Sequence, residues 1–119
     1  MHVCFPSSAF YHHLGYAYFN LGRYEDAVAT LKKSVKLSPN GKPGRYGLIA
    51  SYAQAGLLEE AKSDFEEFLK VRPEASVKDA KRGGIGKYAD KRVTQRWEEA
   101  FHKAGMPDEP QPRSSPDKV

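Results

Sequence analysis

The sequence predicts an all-α fold of helical hairpins, followed by one further helix that caps the array. Three observations lead to this prediction. The residue pattern repeats after 34 residues, and each copy holds two segments whose apolar residues recur at helical spacing. A glycine or a proline also stands at the point where each of these helices should end.

The internal repeat covers residues 8 to about 74. A shift of 34 residues superposes Leu14 on Leu48, Tyr18 on Tyr52, Gly22 on Gly56, Ala27 on Ala61, Leu31 on Phe65, Leu37 on Val71 and Pro39 on Pro73. These seven matches in one register indicate a true repeat. Continuing the register places Gly83, Gly86 and Gln95 at repeat positions that need a small residue, an aromatic residue and an alanine. A complete third copy is therefore not predicted.

Each copy is predicted to be a pair of amphipathic helices, at 8–21 and 24–37 in the first copy and at 44–55 and 58–71 in the second. Leu14, Tyr18 and Leu21 share one helical stripe. Ala27 and Ala61 are small, so they mark the point where two helices approach closely. The predicted structural residues are these two alanines with Leu14, Tyr18, Leu31, Tyr52, Phe65 and Trp97.

The ends of the helices follow from glycine and proline. Gly22 and Gly56 follow the first helix of each copy, and glycine accepts the left-handed backbone that closes a helix. Pro39 and Pro73 lie just beyond the second helix of each copy and cannot continue it. A turn is therefore expected inside each hairpin and another after it.

The first copy reads Tyr11-x-x-Leu14-Gly15-x-x-Tyr18, then Ala27-x-x-x-Leu31, then Pro39, and it resembles the tetratricopeptide repeat. The resemblance implies an α-α superhelix with repeats at 8–41 and 42–75, after an N-terminal extension at 1–7. The second copy departs from the pattern at Arg45 and Ile49, where the family prefers an aromatic and a small residue. Its first helix is therefore expected to pack less closely.

Residues 76–107 are predicted to be a linker and a capping helix. Val93, Trp97, Ala100, Phe101 and Ala104 follow helical spacing from about residue 91, and Gly105 and Pro107 supply a stop. Trp97 is expected to pack against the second repeat. The segment also resembles tails that follow such repeats in bacterial signalling proteins, including some class III adenylate cyclases. Residues 108–119 lack apolar periodicity and are predicted to be disordered.

The resemblance also implies a concave groove lined by the first helix of each repeat. The predicted groove residues are His12, His13, Tyr16, Phe19, Asn20, Tyr46, Ala50, Ala53 and Gln54. Aromatic and amide side chains suit the capture of a peptide or protein partner. The alternative is that Tyr16 and Phe19 pack against an N-terminal segment or another copy of the chain, as in a homo-oligomer. In one subclass of the family a lysine and asparagines in the groove clamp a terminal carboxylate. Here those places hold His12, Tyr16 and Gly47, so that ligand is disfavoured.

The net charge of +4 is concentrated in residues 78–96, which hold seven basic and two acidic residues. This segment offers a second function, the binding of nucleic acid or of an acidic partner, although nucleic acid is disfavoured because short basic runs are usually solvated surface. A third alternative is a self-associating or regulatory fragment of a larger signalling protein. No segment has the length and apolarity of a membrane span, and Cys4 is the only cysteine. A cytoplasmic protein is expected.

The sequence predicts no enzyme, cofactor or metal site. Gly83-Gly84-Ile85-Gly86-Lys87 lacks the spacing of a phosphate-binding loop, since Lys81 and Tyr88 stand where that loop needs a glycine and a serine or threonine. The adjacent His12 and His13 point about 100° apart on a helix, so they cannot chelate one ion together. The acidic residues lie at helix starts and on polar faces, where no catalytic pair is indicated.

Overall fold

A computed structural model describes residues 7–111, and within that range the chain is helical with no strand. The helices are α1 (Ser8–Asn20), α2 (Tyr24–Leu37), α3 (Lys42–Gln54), α4 (Leu58–Val71), α5 (Val77–Arg82) and α6 (Lys91–Lys103). The predicted all-α hairpin fold is confirmed, and α2 and α4 begin and end at the predicted residues. No helix among these has the length and apolar character needed to cross a bilayer.

Close contact between α1 and α2 holds the first hairpin together. A side-chain carbon added at Gly15 would lie only 2.4 Å from Cγ of Leu31, so the two helices approach as closely as this glycine allows. Leu31 and Ala27 have no exposed surface, and neither has Ala61 in the second hairpin. The burial of Ala27 and Ala61 is consistent with their predicted place between packed helices.

The predicted stripe of Leu14, Tyr18 and Leu21 does not form the core face of α1. Leu14 is 37% exposed and Leu21 is 73% exposed, so the prediction that Leu14 is a core residue is wrong. The reason lies in the order of the elements. The equivalent Leu48 of α3 is only 3% exposed, because α2 precedes α3 and packs on it, whereas no helix precedes α1 among the described residues.

Helix α3 is the central helix of the molecule, packed against α1, α2, α4 and α6. The expectation that it packs less closely is therefore wrong. Ile49 is fully buried. Arg45, which stands where the family prefers an aromatic residue, makes polar contacts instead. The Arg45 guanidinium forms an ion pair with Asp64 of α4 and donates to the Pro39 carbonyl at 2.7 Å, so it joins α3 to α4 and to the turn that precedes α3.

The chain after α6 returns to the N-terminus of α5. The backbone N–H groups of Val77 and Lys78 donate to the carbonyls of Pro107 and Asp108, each at 2.9 Å. The Lys78 ammonium also lies 3.3 Å from the carboxylate of Glu109. The first residues of the tail that was predicted to be disordered are thus bound to the fold. Residues 1–6, including Cys4, and residues 112–119 lie outside the described part.

Candidate functional site

Helix α6 lies on the face that α1 and α3 form together. Trp97 is fully buried there, with its ring centroid 4.0 Å from that of Phe19 and 5.0 Å from that of Tyr16. One turn later, Phe101 lies 5.8 Å from Tyr46 of α3. We call this face the α1–α3 groove, made of Tyr16, Phe19, Asn20, Tyr46 and Gln54. In the structure the groove holds a helix of the chain itself.

The sequence explains why α6 forms and why it presents this face. The Asp90 carboxylate accepts a hydrogen bond from the Arg92 backbone N–H at 2.9 Å and so caps the first turn. Trp97, Ala100 and Phe101 are the buried residues of the helix and lie on one stripe. The preceding loop must pass close to Trp97, because a side-chain carbon at Gly86 would lie 2.9 Å from Cβ of the tryptophan.

Two amide side chains bind α6 through hydrogen bonds. The Trp97 indole N–H donates to the side-chain Oδ1 of Asn20 at 2.9 Å. The Arg96 guanidinium donates to the backbone carbonyl of Asn20 at 3.1 Å. Gln54 donates from Nε2 to the Arg96 carbonyl at 3.1 Å and accepts from the Lys103 ammonium at 2.8 Å. Asn20 and Gln54 are the last residues of α1 and α3, so this polar contact lies along one edge of the groove.

Tyr16 spans α1 and α3. Its hydroxyl donates to the Pro43 carbonyl at 2.6 Å, and burial raises the pKa of this phenol well above its usual range. Its ring fits because Gly47 has no side chain, since a carbon there would lie 2.6 Å from the tyrosine ring. Tyr16 is therefore held in place before any ligand arrives.

Tyr46 is fully buried and joins α3 to α5. Its hydroxyl donates to Asp79 at 2.7 Å and accepts from the Ser76 backbone N–H at 3.2 Å. Burial, together with the hydrogen bond to Asp79, raises the pKa of Tyr46 well above its usual range. Lys42 adds ion pairs to Asp79 at 3.1 Å and to Glu74 at 2.9 Å. The hydrogen bond to Glu74 is the main reason that the pKa of Lys42 is raised.

The expectation of an open groove is wrong. Phe19, Tyr46 and Ala50 have no exposed surface and Ala53 is 2% exposed. Trp97 is buried as expected. Its helix packs on α3 of the second repeat, but its ring also contacts Tyr16 and Phe19 of the first repeat, which was not predicted. The groove residues and the amphipathic helix α6 were both predicted from the sequence. That α6 packs on the groove residues was not. Whether the groove residues bind a partner stays a prediction.

The two histidines lie at the other end of α1. The rings of His12 and His13 are 4.3 Å apart, and that of His12 is 5.5 Å from Tyr16. Burial, and to a lesser degree the neighbouring His13, lower the pKa of His12, so the neutral imidazole is favoured. Within residues 7–111, no group of three His, Cys, Asp or Glu side chains is arranged to hold a metal ion.

Comparison with known proteins gives one match. Residues 8–40, which span α1, α2 and the turn after them, match the family model of the tetratricopeptide repeat. No curated protein and no solved structure matches the chain. No match covers the C-terminal segment, so its resemblance to the tails of cyclases stays a prediction. The second hairpin, α3 and α4, follows the first in helix order and length. Residues 8–40 are therefore similar to a tetratricopeptide repeat, and the all-helical fold is of the tetratricopeptide type.

Proposed function

We propose that the chain is a non-catalytic protein-interaction module that holds a helical segment of a partner in the α1–α3 groove. Tetratricopeptide repeats generally mediate protein–protein interaction, and the first hairpin matches that family. The observation that carries the proposal is the position of α6, which lies in the groove as a bound helix would. In this proposal α6 is the resident occupant, and the partner replaces it.

The groove has the features of a site that binds an amphipathic helix. Tyr16, Phe19 and Tyr46 offer three aromatic rings to one face of α6. Such rings are common anchors at protein interfaces, where they bury a large apolar area with few rotatable bonds. A helix bound in a groove contacts it through anchor residues three or four positions apart, and Trp97 and Phe101 have that spacing. We infer that the partner helix carries two aromatic residues at i and i+4.

The polar edge of the groove supplies specificity. Asn20 accepts from the indole N–H of Trp97 at 2.9 Å, so an aromatic residue without a donor would leave this partly buried acceptor without its partner. Gln54 both donates and accepts along the same helix. A tryptophan at the first anchor position of the partner is therefore preferred to phenylalanine.

The resident helix sets the strength of partner binding. A covalently attached ligand has an effective concentration in the millimolar range when its linker is short. A free helix must compete with it, so the apparent affinity is the intrinsic affinity reduced by the fraction of molecules in which the groove is open. Weakening α6 alone should therefore strengthen the binding of a second helix.

This prediction is tested with a fluorescein-labelled peptide of residues 88–106 and the full-length chain. Trp97→Leu keeps apolar bulk but removes the indole N–H that bonds to Asn20. We expect the peptide to bind this variant at least about tenfold more tightly than it binds the natural chain, because the groove opens more often. Fluorescence anisotropy measures the affinity, and circular dichroism checks that the variant remains helical.

The matched control is Gln95→Ala, which changes an exposed position of the same helix and should bind the peptide as the natural chain does. Adding Gln54→Ala to Trp97→Leu should weaken binding again, since this amide contacts the helix at two points. The proposal is wrong if the peptide binds all variants equally or fails to bind a folded Trp97→Leu chain.

A further inference from the structure

A pocket of about 330 Å³ lies where α5, the following loop and the start of α6 meet. We call it the cationic pocket, because four of its six lining residues are basic. It is lined by Lys78, Lys81, Arg82, Lys87, Tyr88 and Thr94. None of its lining residues is among those that define the α1–α3 groove, but Tyr88 stacks on Trp97, whose ring lies in that groove.

The loop that forms this pocket is held in one conformation. Ile85 is only 6% exposed, and its backbone N–H donates to the Ala80 carbonyl at 2.9 Å. Thr94 accepts from the backbone N–H of Tyr88 at 2.9 Å and donates to its carbonyl at 3.0 Å. The Tyr88 ring stacks on Trp97 with their centroids 6.3 Å apart. A pocket fixed in this way loses little conformational entropy when a ligand binds.

Two of the four cations are already paired. Lys78 lies 3.3 Å from Glu109, and Lys81 pairs with Glu98. Arg82 and Lys87 are exposed, and neither has an ion pair within residues 7–111. The loop therefore presents two uncompensated positive charges beside the Tyr88 ring.

The chain itself shows what kind of segment fits beside this pocket. Asp108 and Glu109 contact Lys78, whose backbone N–H donates to the Asp108 carbonyl at 2.9 Å and whose ammonium pairs with the Glu109 carboxylate. An acidic peptide segment is thus already bound to one of the lining lysines, through both its backbone and its side chain.

We propose that the cationic pocket binds an acidic segment of a protein partner, with a carboxylate of that segment between Arg82 and Lys87. Charge complementarity would steer the approach and fix the orientation of the segment. The pocket exists while α6 lies in the groove, because Thr94 of α6 is one of its lining residues.

The test uses the full-length chain and a fluorescein-labelled oligoglutamate peptide at low salt. We expect the double variant Arg82→Gln, Lys87→Gln to bind the peptide at least about tenfold more weakly than the natural chain, since both uncompensated charges are lost. Added salt should weaken binding to the natural chain steeply and binding to the variant little. Both side chains are exposed, so the helical circular dichroism signal should not change.

The control variant removes two equally exposed charges elsewhere, by Lys36→Gln and Lys62→Gln, and should retain the affinity of the natural chain to within about twofold. An equal loss in both variants would show that only net charge matters and would overturn the proposal. The proposal would also be wrong if oligoglutamate did not bind. It would be wrong as well if oligothymidylate of the same charge bound the natural chain more tightly than oligoglutamate and lost its affinity in the Arg82→Gln, Lys87→Gln variant.

Discussion

Phe19 and Tyr18 are neighbours in α1, yet they face different surroundings. Phe19 is fully buried between Trp97 and Tyr24, with ring centroids 4.0 Å and 5.2 Å away. Tyr18 is partly buried at the outer edge of the helix, where the Arg23 guanidinium lies 5.0 Å from its ring. The repeat pattern predicts Phe19 at a partner surface and Tyr18 in the core, whereas the structure buries Phe19 and leaves Tyr18 partly exposed.

We therefore expect Phe19→Ala to lower the free energy of unfolding by about 3 to 5 kcal/mol, the usual cost of removing a buried aromatic ring. Tyr18→Ala should cost clearly less, since part of its ring is in water and a cation–π contact of this kind contributes only about 0.5 to 1 kcal/mol. Urea denaturation of both variants measures the difference. A larger loss for Tyr18→Ala would contradict this account of α1.

At the scale of the elements, the hairpin contacts follow from the sequence, whereas the site of α6 does not. Periodicity identifies which face of a helix is apolar, and for α6 it identified Trp97 and Phe101 correctly. It carries no information about which surface that face meets. The groove itself was predicted from repeat positions, but an apolar groove attracts a helix of the chain as well as one of a partner.

The contact between α1 and α2 can be tested through Gly15. An added methyl group would meet Leu31 at 2.4 Å, so Gly15→Ala should lower the free energy of unfolding by about 1 to 3 kcal/mol. This loss occurs although alanine is the better helix former by about 1 kcal/mol.

A double-mutant cycle separates the clash from the change in helix propensity. In a Leu31→Ala background the added methyl group has room, so Gly15→Ala should cost less there than in the natural chain. An equal loss of unfolding free energy in the two backgrounds would contradict this account. It would mean that Leu31 does not clash with the added methyl group.

For the whole molecule, the fold and most helix ends could be predicted from the sequence. The 34-residue repeat is visible in the residue pattern, and glycine and proline mark helix ends locally. The exposure of Leu14 and the docking of the tail could not be predicted. The exposure of Leu14 depends on what precedes α1, and the repeat pattern assumes a preceding helix, which is not found among residues 7–111. The tail docks through backbone carbonyls, and these are present in every sequence.

Two truncations test the docked part of the tail. Ending the chain after Pro107 removes the contacts of Asp108 and Glu109 with Lys78, and that of Asp108 with His102 at 2.6 Å. We expect the free energy of unfolding to fall by about 1 to 2 kcal/mol. Ending it after Gln111 keeps these contacts and should change stability by less than about 0.5 kcal/mol. Equal melting temperatures for both truncations would show that the docked residues contribute nothing.

The hydrogen bond from Trp97 to Asn20 joins residues 77 positions apart. In a simple repeat array each unit touches only its neighbours, so the units can unfold one after another. Here the last helix is bound to the first, and loosening either hairpin exposes the same indole ring to water. The chain should therefore unfold as one cooperative unit. It should also fold more slowly than a two-hairpin array of its length, because α6 can dock only after α1 and α3 have come together.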